Sequence, residues 1–502
     1  MLELMFQEYE LTGQERVCQR TYIGEQTADI IVPDSHPDVD RIVDAFGTML
    51  VETVRLQSDG VSMEGKVRGG VLFLDEKGTV HSLPLTISLS AQKELPTEGD
   101  DGILCYRCDL RSVDARAVNS RKLLVRLGYQ WSVEVYKPFS KKIRYLEEPT
   151  ERIQLRQREY PLRLPTATGE KRFTVNEELE LPPSCPPVGE MLKVCSRLQI
   201  MEQKAVGTKG VFKMELLIHL VYEEPQGKLC TYDWRIPLSQ YGDLTEETRD
   251  GELQTTLHLT ELELEPDSHV ESHRLFLRAG VHAMLMAYEM RSIRIIEDAF
   301  CTDAILEPRW QQWQWRPLLD SKSLSTTARK AGMENVGAPV DFWISPEEWE
   351  TEQRGDTTLI KLPLSCSVLS YDGEGKLRGT QIHMTAEAEL PMSRECECSV
   401  RDIQCTEVYC SATSGSAEIR VPVTLTADCF GLQDFRSLHG GEALPLPELR
   451  EKKPSVILRR TDGDEELWSI AKSYRTPVEG ICRANDLEDE TIPDGTMLLI
   501  PL

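Results

Sequence analysis

Residues Gly65 to Val80 read GKVRGGVLFLDEKGTV, and residues Met214 to Leu229 read MELLIHLVYEEPQGKL. Each is an alternating apolar run, an acidic turn carrying a glycine, and the opening of a return run, the signature of a β-hairpin. The turn glycines Gly78 and Gly227 stand 149 residues apart. The same spacing takes Pro33 to Pro182, Pro37 to Pro186, Val39 to Val188, Ile87 to Ile236 and Ser90 to Ser239. A third hairpin, Leu364 to Leu377 (LSCSVLSYDGEGKL), puts its glycine at Gly375, 148 residues beyond Gly227. Its upstream part, Ala331 to Ser345, lacks the paired prolines and is divergent.

Each copy continues into further strand-like runs: Leu123 to Val135, Leu275 to Met286, and Glu418 to Thr426. Many short apolar runs with Gly and Asp turns and few helical patterns predict mainly antiparallel β-structure, sandwich-like or barrel-like, repeated along the chain. Val39 to Phe46 is expected as a short helix with Asp38 as its N-cap. Three stretches between the copies are expected as connectors or linkers. Tyr136 to Glu170 carries eight Lys and Arg against five Glu, and Arg291 to Asp320 holds Trp310, Trp313 and Trp315 flanked by arginines. Those tryptophans suit either packing against a neighbouring copy or a partner hot spot. Leu444 to Pro454 (LPLPELREKKP) reads as a semi-rigid linker.

The chain has 502 residues and a formal net charge of −26. That surplus repels phosphates and anionic headgroups, so nucleic acid and membrane surfaces are not expected partners. The first residues, MLELMFQEYELT, have no basic start and no apolar core of signal-peptide length, so a cytoplasmic location is expected. No stretch is long and apolar enough to be expected to insert in a membrane. The 14 cysteines are then reduced thiols.

From Ser455 the pattern changes. A strand over Val456 to Leu458 leads to the turn Asp462, Gly463, Asp464. Leu467, Ile470, Ala471 and Tyr474 then have the spacing of one helix face, with Asp464 as the expected N-cap. Thr476 to Glu479 reads as a capping box opening a second helix, which Asn485 would end in a left-handed conformation. Pro493, Asp494 and Gly495 turn the chain into the strand Thr496 to Ile500. The order is β, α, α, β.

Gly463, Asp464, Leu467, Trp468, Ser469, Ile470, Ala471, Tyr474, Val478, Ile481, Asn485, Leu487 and the closing Leu498 to Pro501 make this segment resemble the LysM module. The resemblance implies a shallow groove framed by two loops. It places candidate partner- or glycan-binding residues at Gly463, Asp464, Glu465 and Glu466 in the first loop, and at Asn485, Leu487, Ile492 and Pro493 in the second. The segment 455–502 carries five basic and ten acidic residues. That acidity and the expected location weigh toward a protein ligand over peptidoglycan.

Val32, Pro33, Pro37, Asp38, Val39 and Ile42, the hairpin Val71 to Val80, and Ile295 to Pro308 resemble the DUF3794 (SPOCS) repeat family. Such repeats followed by a LysM module are the arrangement of spore-coat morphogenetic proteins. The fold class expected is thus multidomain and mainly β, with sandwich- or barrel-like repeats and a small C-terminal α+β (βααβ) LysM domain. The division expected is a first repeat over 1–135, a connector over 136–170, a second repeat over 171–290 and a Trp-rich connector over 291–325. A divergent third repeat over 326–435, a linker over 436–454 and LysM over 455–502 complete it. The resemblance implies a non-enzymatic scaffold in spore-coat assembly, with LysM gripping a SpoIVA-like coat ATPase at the forespore surface in the mother cell; the repeats themselves are expected either to self-associate or to bind coat proteins. Binding of peptidoglycan or N-acetylglucosamine glycans is the alternative.

No phosphate loop, nucleophile elbow or HExxH is present, and no catalytic residue, cofactor or metal is expected. Cys105 and Cys108 form a lone CxxC on a strand pattern, and Cys396, Cys398, Cys405 and Cys410 match no familiar zinc spacing. His269 and His273 lie four apart in a turn-like stretch without a helix to align them.

Overall fold

The computed structural model describes residues 2–3, 7–96, 102–145, 152–249, 251–267, 273–315, 318–333, 339–372, 375–392, 396–405, 408–413, 416–431, 433–446, 455–462, 465–492 and 495–502. It is mainly antiparallel β-structure, closed at the C-terminus by two short helices between two strands.

The first sheet pair joins β2 (Gln7–Ile31), β7 (Lys122–Tyr145) and β6 (Ile103–Asn119) in the order β2-β7-β6, and β3 (Arg41–Gln57), β4 (Gly60–Leu74) and β5 (Val80–Glu94) in the order β3-β4-β5. The second repeats the plan with β8 (Ile153–Glu180), β12 (Arg274–Cys301) and β11 (Glu252–Pro266), facing β9 (Glu190–Glu223) and β10 (Leu229–Thr248). In the third, β14 (Leu318–Met333), β21 (Ser416–Gly431), β19 (Cys396–Cys405) and β20 (Tyr409–Thr413) form one sheet; β15 (Pro339–Pro346), β17 (Thr357–Tyr371), β16 (Glu350–Arg354) and β18 (Leu377–Pro391) form the other. A separate sheet has the order β1 (Leu2–Glu3), β22 (Gln433–Pro445), β13 (Ala304–Trp315).

Alternation buries one face of each strand between its two sheets. Leu123, Val125, Leu127, Val133 and Val135 of β7 meet Val61, Met63, Val67 and Val71 of β4 in one core, all withdrawn from solvent. Phe212, Leu216, Leu220, Leu275, Val281 and Leu285 build the second, and Ile360, Leu364, Val368, Val421 and Leu425 the third. The three hairpin turns share one hydrogen-bond pattern. Gly78 N–H donates to Asp75 O, Gly227 N–H to Glu224 O and Gly375 N–H to Asp372 O. All three glycines are left-handed, with φ of 81°, 87° and 78°, a conformation in which a side chain is strained.

One expectation is corrected, and the stretches between the copies are described with it. Val39 to Phe46 is not helical: β3 starts at Arg41, and Asp38 takes hydrogen bonds from Ser120 and Arg121 instead of capping a helix. Val43 and Phe46 pack at a junction between sheet pairs while Ile42 and Ala45 pack into the first core, so both strand faces are apolar and the periodicity is that of neither structure cleanly. The expected connectors are largely strand, since β7, β8, β12, β13 and β14 run through them. Their basic residues line ribbons and pair across strands, as Lys141 does with Glu15 and Arg294 with Glu159. Of the expected linker over 436–454, residues 436–445 belong to β22, and residues 447–454 lie outside the described ones.

The ribbons that extend from the first two sheet pairs pack on one another, and the separate β13/β22 ribbon packs on the second. Leu11 and Ile143 of the first meet Leu162, Leu164, Ile293 and Ile295 of the second. Ile296 and Ala299 of the second meet Leu438 and Trp310 of the β13/β22 ribbon. Arg436 lies over the Trp310 ring at 4.5 Å, so this tryptophan is a packing residue. The C-terminal module stands on the tip of the second ribbon.

Candidate functional site

Strands β23 (Val456–Arg460) and β24 (Met497–Pro501) pair antiparallel and flank helices α1 (Leu467–Tyr474) and α2 (Val478–Ala484). Leu467, Ile470, Ala471, Val478, Ile481, Leu498 and Ile500 form the small core. The first helix opens at Glu466, whose carbonyl accepts from Ser469 and Ile470 N–H, with no side-chain cap. It ends at Arg475 with φ of 57°, and the N–H groups of Arg475 and Thr476 close the last carbonyls. The capping box expected at Thr476 is not formed: its hydroxyl donates to Pro501 O, tying α2 to the closing strand. Asn485 is not left-handed (φ −119°); that conformation falls on Asp486 at 51°.

Gly463, Asp464 and Pro493 lie outside the described residues. The other candidate residues are brought to one end of the module but are mostly engaged. Glu465 pairs with Arg459 and accepts from Asp462 N–H at 3.3 Å. Glu466 pairs with Arg156 of β8 at 2.5 Å. Asn485 donates from Nδ2 to Ile481 O and Leu499 O, each at 2.7 Å, and accepts Leu499 N–H at 2.6 Å. It is a clasp between α2 and β24. Leu487 and Ile492 are packed against the core. What the second loop offers to solvent is its charge, in Asp486, Glu488, Asp489 and Glu490.

Two surfaces lie outside the reach of the sequence motifs. The outer face of the two-stranded sheet carries Val456, Leu458, Met497 and Leu499, which are 46%, 65%, 55% and 39% exposed, with Leu458 paired to Leu499. Alternation alone marks these residues as the face opposite Ile457, Leu498 and Ile500. One face of α1 is covered by β12. Trp468 Nε1 donates to Asp298 Oδ2 at 2.9 Å, and Lys472 Nζ donates to both Asp298 oxygens at 2.6 and 2.8 Å. Phe300 meets the Trp468 ring edge-on with centroids 5.1 Å apart. Burial works against ionisation of Asp298, but Lys472 and Trp468 outweigh it and hold the carboxyl below its ordinary range.

A second concentration of charge lies where the three sheet pairs meet. Lys193 Nζ, fully buried, bridges Asp44 at 2.9 Å and Asp341 at 3.0 Å. Asp44, Lys193 and Asp341 are spaced by 149 and 148 residues, so equivalent positions of the three copies converge. Phe46, Cys195 and Trp343, at the same spacings, line this junction too. His219 contacts Asp341 at 2.6 Å through Nε2 and Asp233 at 2.5 Å through Nδ1. Burial opposes its charge, yet the two carboxylates push it up to about 9, which favours an imidazolium that bonds Asp233 through Nδ1 and forms an ion pair with Asp341 through Nε2. Ser367 Oγ donates to Asp44 at 3.0 Å and completes the set.

Cys105 and Cys108 lie on β6, and burial pushes both thiols up, Cys105 to about 12, the opposite of a reactive pair. Cys398 and Cys429 face each other across β19 and β21 with sulfurs 3.8 Å apart, while Cys405 and Cys410 pack separately at the margin of that core. Among the described residues, no three His, Cys, Asp or Glu side chains gather as a metal site. His273 bonds the Cys185 carbonyl; its expected partner His269 lies outside the described residues. Among the described residues no helix is long and apolar enough to cross a membrane.

The β, α, α, β order, the packed Trp468 helix and the closing strand define a small α+β module. The LysM domain model matches residues 463–501, and a LysM domain occupies that segment. LysM is a binding domain without catalytic chemistry, and it supports a peptidoglycan- or glycan-binding role. No curated protein and no solved structure matches the chain.

Proposed function

We propose that the chain is a non-enzymatic, SipL-like scaffold of the spore coat, built from DUF3794 (SPOCS) repeats and acting on the cytoplasmic, mother-cell side of the forespore surface. Its LysM domain grips a protein partner, a SpoIVA-like coat ATPase. The observation carrying this reading is the apolar strip Val456, Leu458, Met497 and Leu499 on the outer sheet face. Four large apolar side chains on so small a module suit an interface core. The neighbouring acidic loop, Asp486 to Glu490, favours a partner rimmed with basic residues.

The glycan reading rests on the LysM match itself. Capture of a purified SpoIVA-like ATPase by the full chain, beside sedimentation with purified peptidoglycan, separates the two. Capture lost in Leu458→Glu supports the protein interface. Sedimentation with no capture replaces it with the glycan reading.

A further inference from the structure

The LysM domain does not sit on the body through its tether alone. Three independent contacts fix the same helix to the same ribbon: the Asp298 carboxylate on Trp468 and Lys472, the Phe300 ring on Trp468, and Arg156 on Glu466. Phe300, only 4% exposed, belongs to the hydrophobic core of the LysM domain although it comes from β12. The ribbon is shaped for this contact. Ile296 pairs with Gln157 and Asp298 with Arg156, so Glu297 is an extra residue, a β-bulge. A bulge re-aims the side chains around it. Glu297 turns to the Tyr160 hydroxyl, and Asp298 turns to the LysM helix.

We propose that the tip of the β8/β12 ribbon is an intramolecular docking surface for α1, and that this contact autoinhibits the LysM domain toward ligands that engage its first loop. The proposal rests on the LysM domain being the binding module of the chain. Glu466 belongs at once to the first loop, to the start of α1 and to the ion pair with Arg156. A ligand that takes hold of the Glu466 carboxylate competes with Arg156 for it and meets a helix that Asp298 and Phe300 retain. The strip on the opposite sheet face, Val456, Leu458, Met497 and Leu499, makes none of these contacts and stays open in the docked state. Docking thus closes one face of the domain and leaves the other available.

The test uses the full chain with Asp298→Asn and, from the LysM side, Lys472→Met, in case either variant disturbs its own element. Hydrogen exchange over residues 467–474 reads docking directly, with residues 216–222 of the second core as the folded reference. Sedimentation with purified peptidoglycan reads the first loop, and capture of the SpoIVA-like ATPase reads the sheet face. Docking predicts faster exchange in 467–474 alone, and autoinhibition predicts peptidoglycan binding stronger on the order of tenfold, since the competent fraction rises. Unchanged exchange in both variants overturns the docking surface. Faster exchange with peptidoglycan binding unchanged, or absent throughout, overturns the inhibitory role. Failure of wild type and variants alike to capture the ATPase overturns the function proposed above and leaves the exchange result standing.

Discussion

Lys193 and Asp341 lie 148 residues apart in sequence and 3.0 Å apart in space, at equivalent positions of successive copies. With Asp44 they place an acid, a base and an acid where three like units meet. Three identical charged side chains there would be three buried like charges; with Lys193 between Asp44 and Asp341, each charge faces its opposite. Alternation of sign makes the arrangement specific to this order of copies.

Lys193→Met should lower stability by about 3–5 kcal/mol, because it strands two buried carboxylates without their counter-charge. Asp44→Asn and Asp341→Asn added to it should recover much of that loss. Urea denaturation midpoints of wild type, the single variant and the triple variant measure the coupling; equal losses in the single and triple variants would remove the charge argument.

Stability should also fall on the alkaline side. His219 has its ordinary value of 6.5 raised to about 9, so its contribution is complete below about 6.5 and is lost as pH rises through about 9. The loss amounts to up to roughly 3 kcal/mol. Asp341 is lowered from 3.8 to about 2, with burial opposing and Lys193 and His219 prevailing, so its contribution persists above 3.8 and disappears as pH falls through about 2. Denaturation midpoints at pH 6, 8 and 10 should decline in wild type and decline less in His219→Gln; parallel slopes would contradict the assignment.

Gly78→Ala and Gly227→Ala should each cost about 1–2 kcal/mol, the strain of a left-handed alanine. At Gly78 no atom lies within 4 Å of a new Cβ, and at Gly227 only the flexible Glu223 carboxylate does, at 3.3 Å. The cost is thus one of backbone conformation, and matching thermal shifts for the two variants would show it.

Asn485→Ala should destabilise the LysM domain by about 2 kcal/mol through its three lost hydrogen bonds to Ile481 and Leu499. Exchange protection at Leu498 and Ile500 should fall. A variant that loses ligand binding with this protection intact would return Asn485 to the ligand surface.

The hairpins, the turn glycines and the LysM order are legible in the sequence because each depends on local spacing. The ribbons read as connectors because a ribbon exposed on most sides is as charged as a loop; only the cross-strand partners of Lys141 and Arg294 reveal it. The 149-residue register already pairs Asp44 with Lys193, yet nothing local says that equivalent positions touch. Asp298 and Phe300 are invisible for the same reason: Asp298 meets Trp468 and Lys472 across 170 and 174 residues of chain. Ile470 or Ile481 to Ala would unfold the domain at about 2–5 kcal/mol and report nothing about ligands.

The most direct measurement is the affinity of the full chain for a purified SpoIVA-like ATPase, compared with Leu458→Glu and Leu499→Glu, which place charge on the exposed strip without entering the core. A protein-binding LysM predicts binding by wild type and a loss of tenfold or more in both variants, about 1.4 kcal/mol or more each. Undiminished binding in the variants, or sedimentation with peptidoglycan where wild type shows no ATPase binding at all, would contradict it.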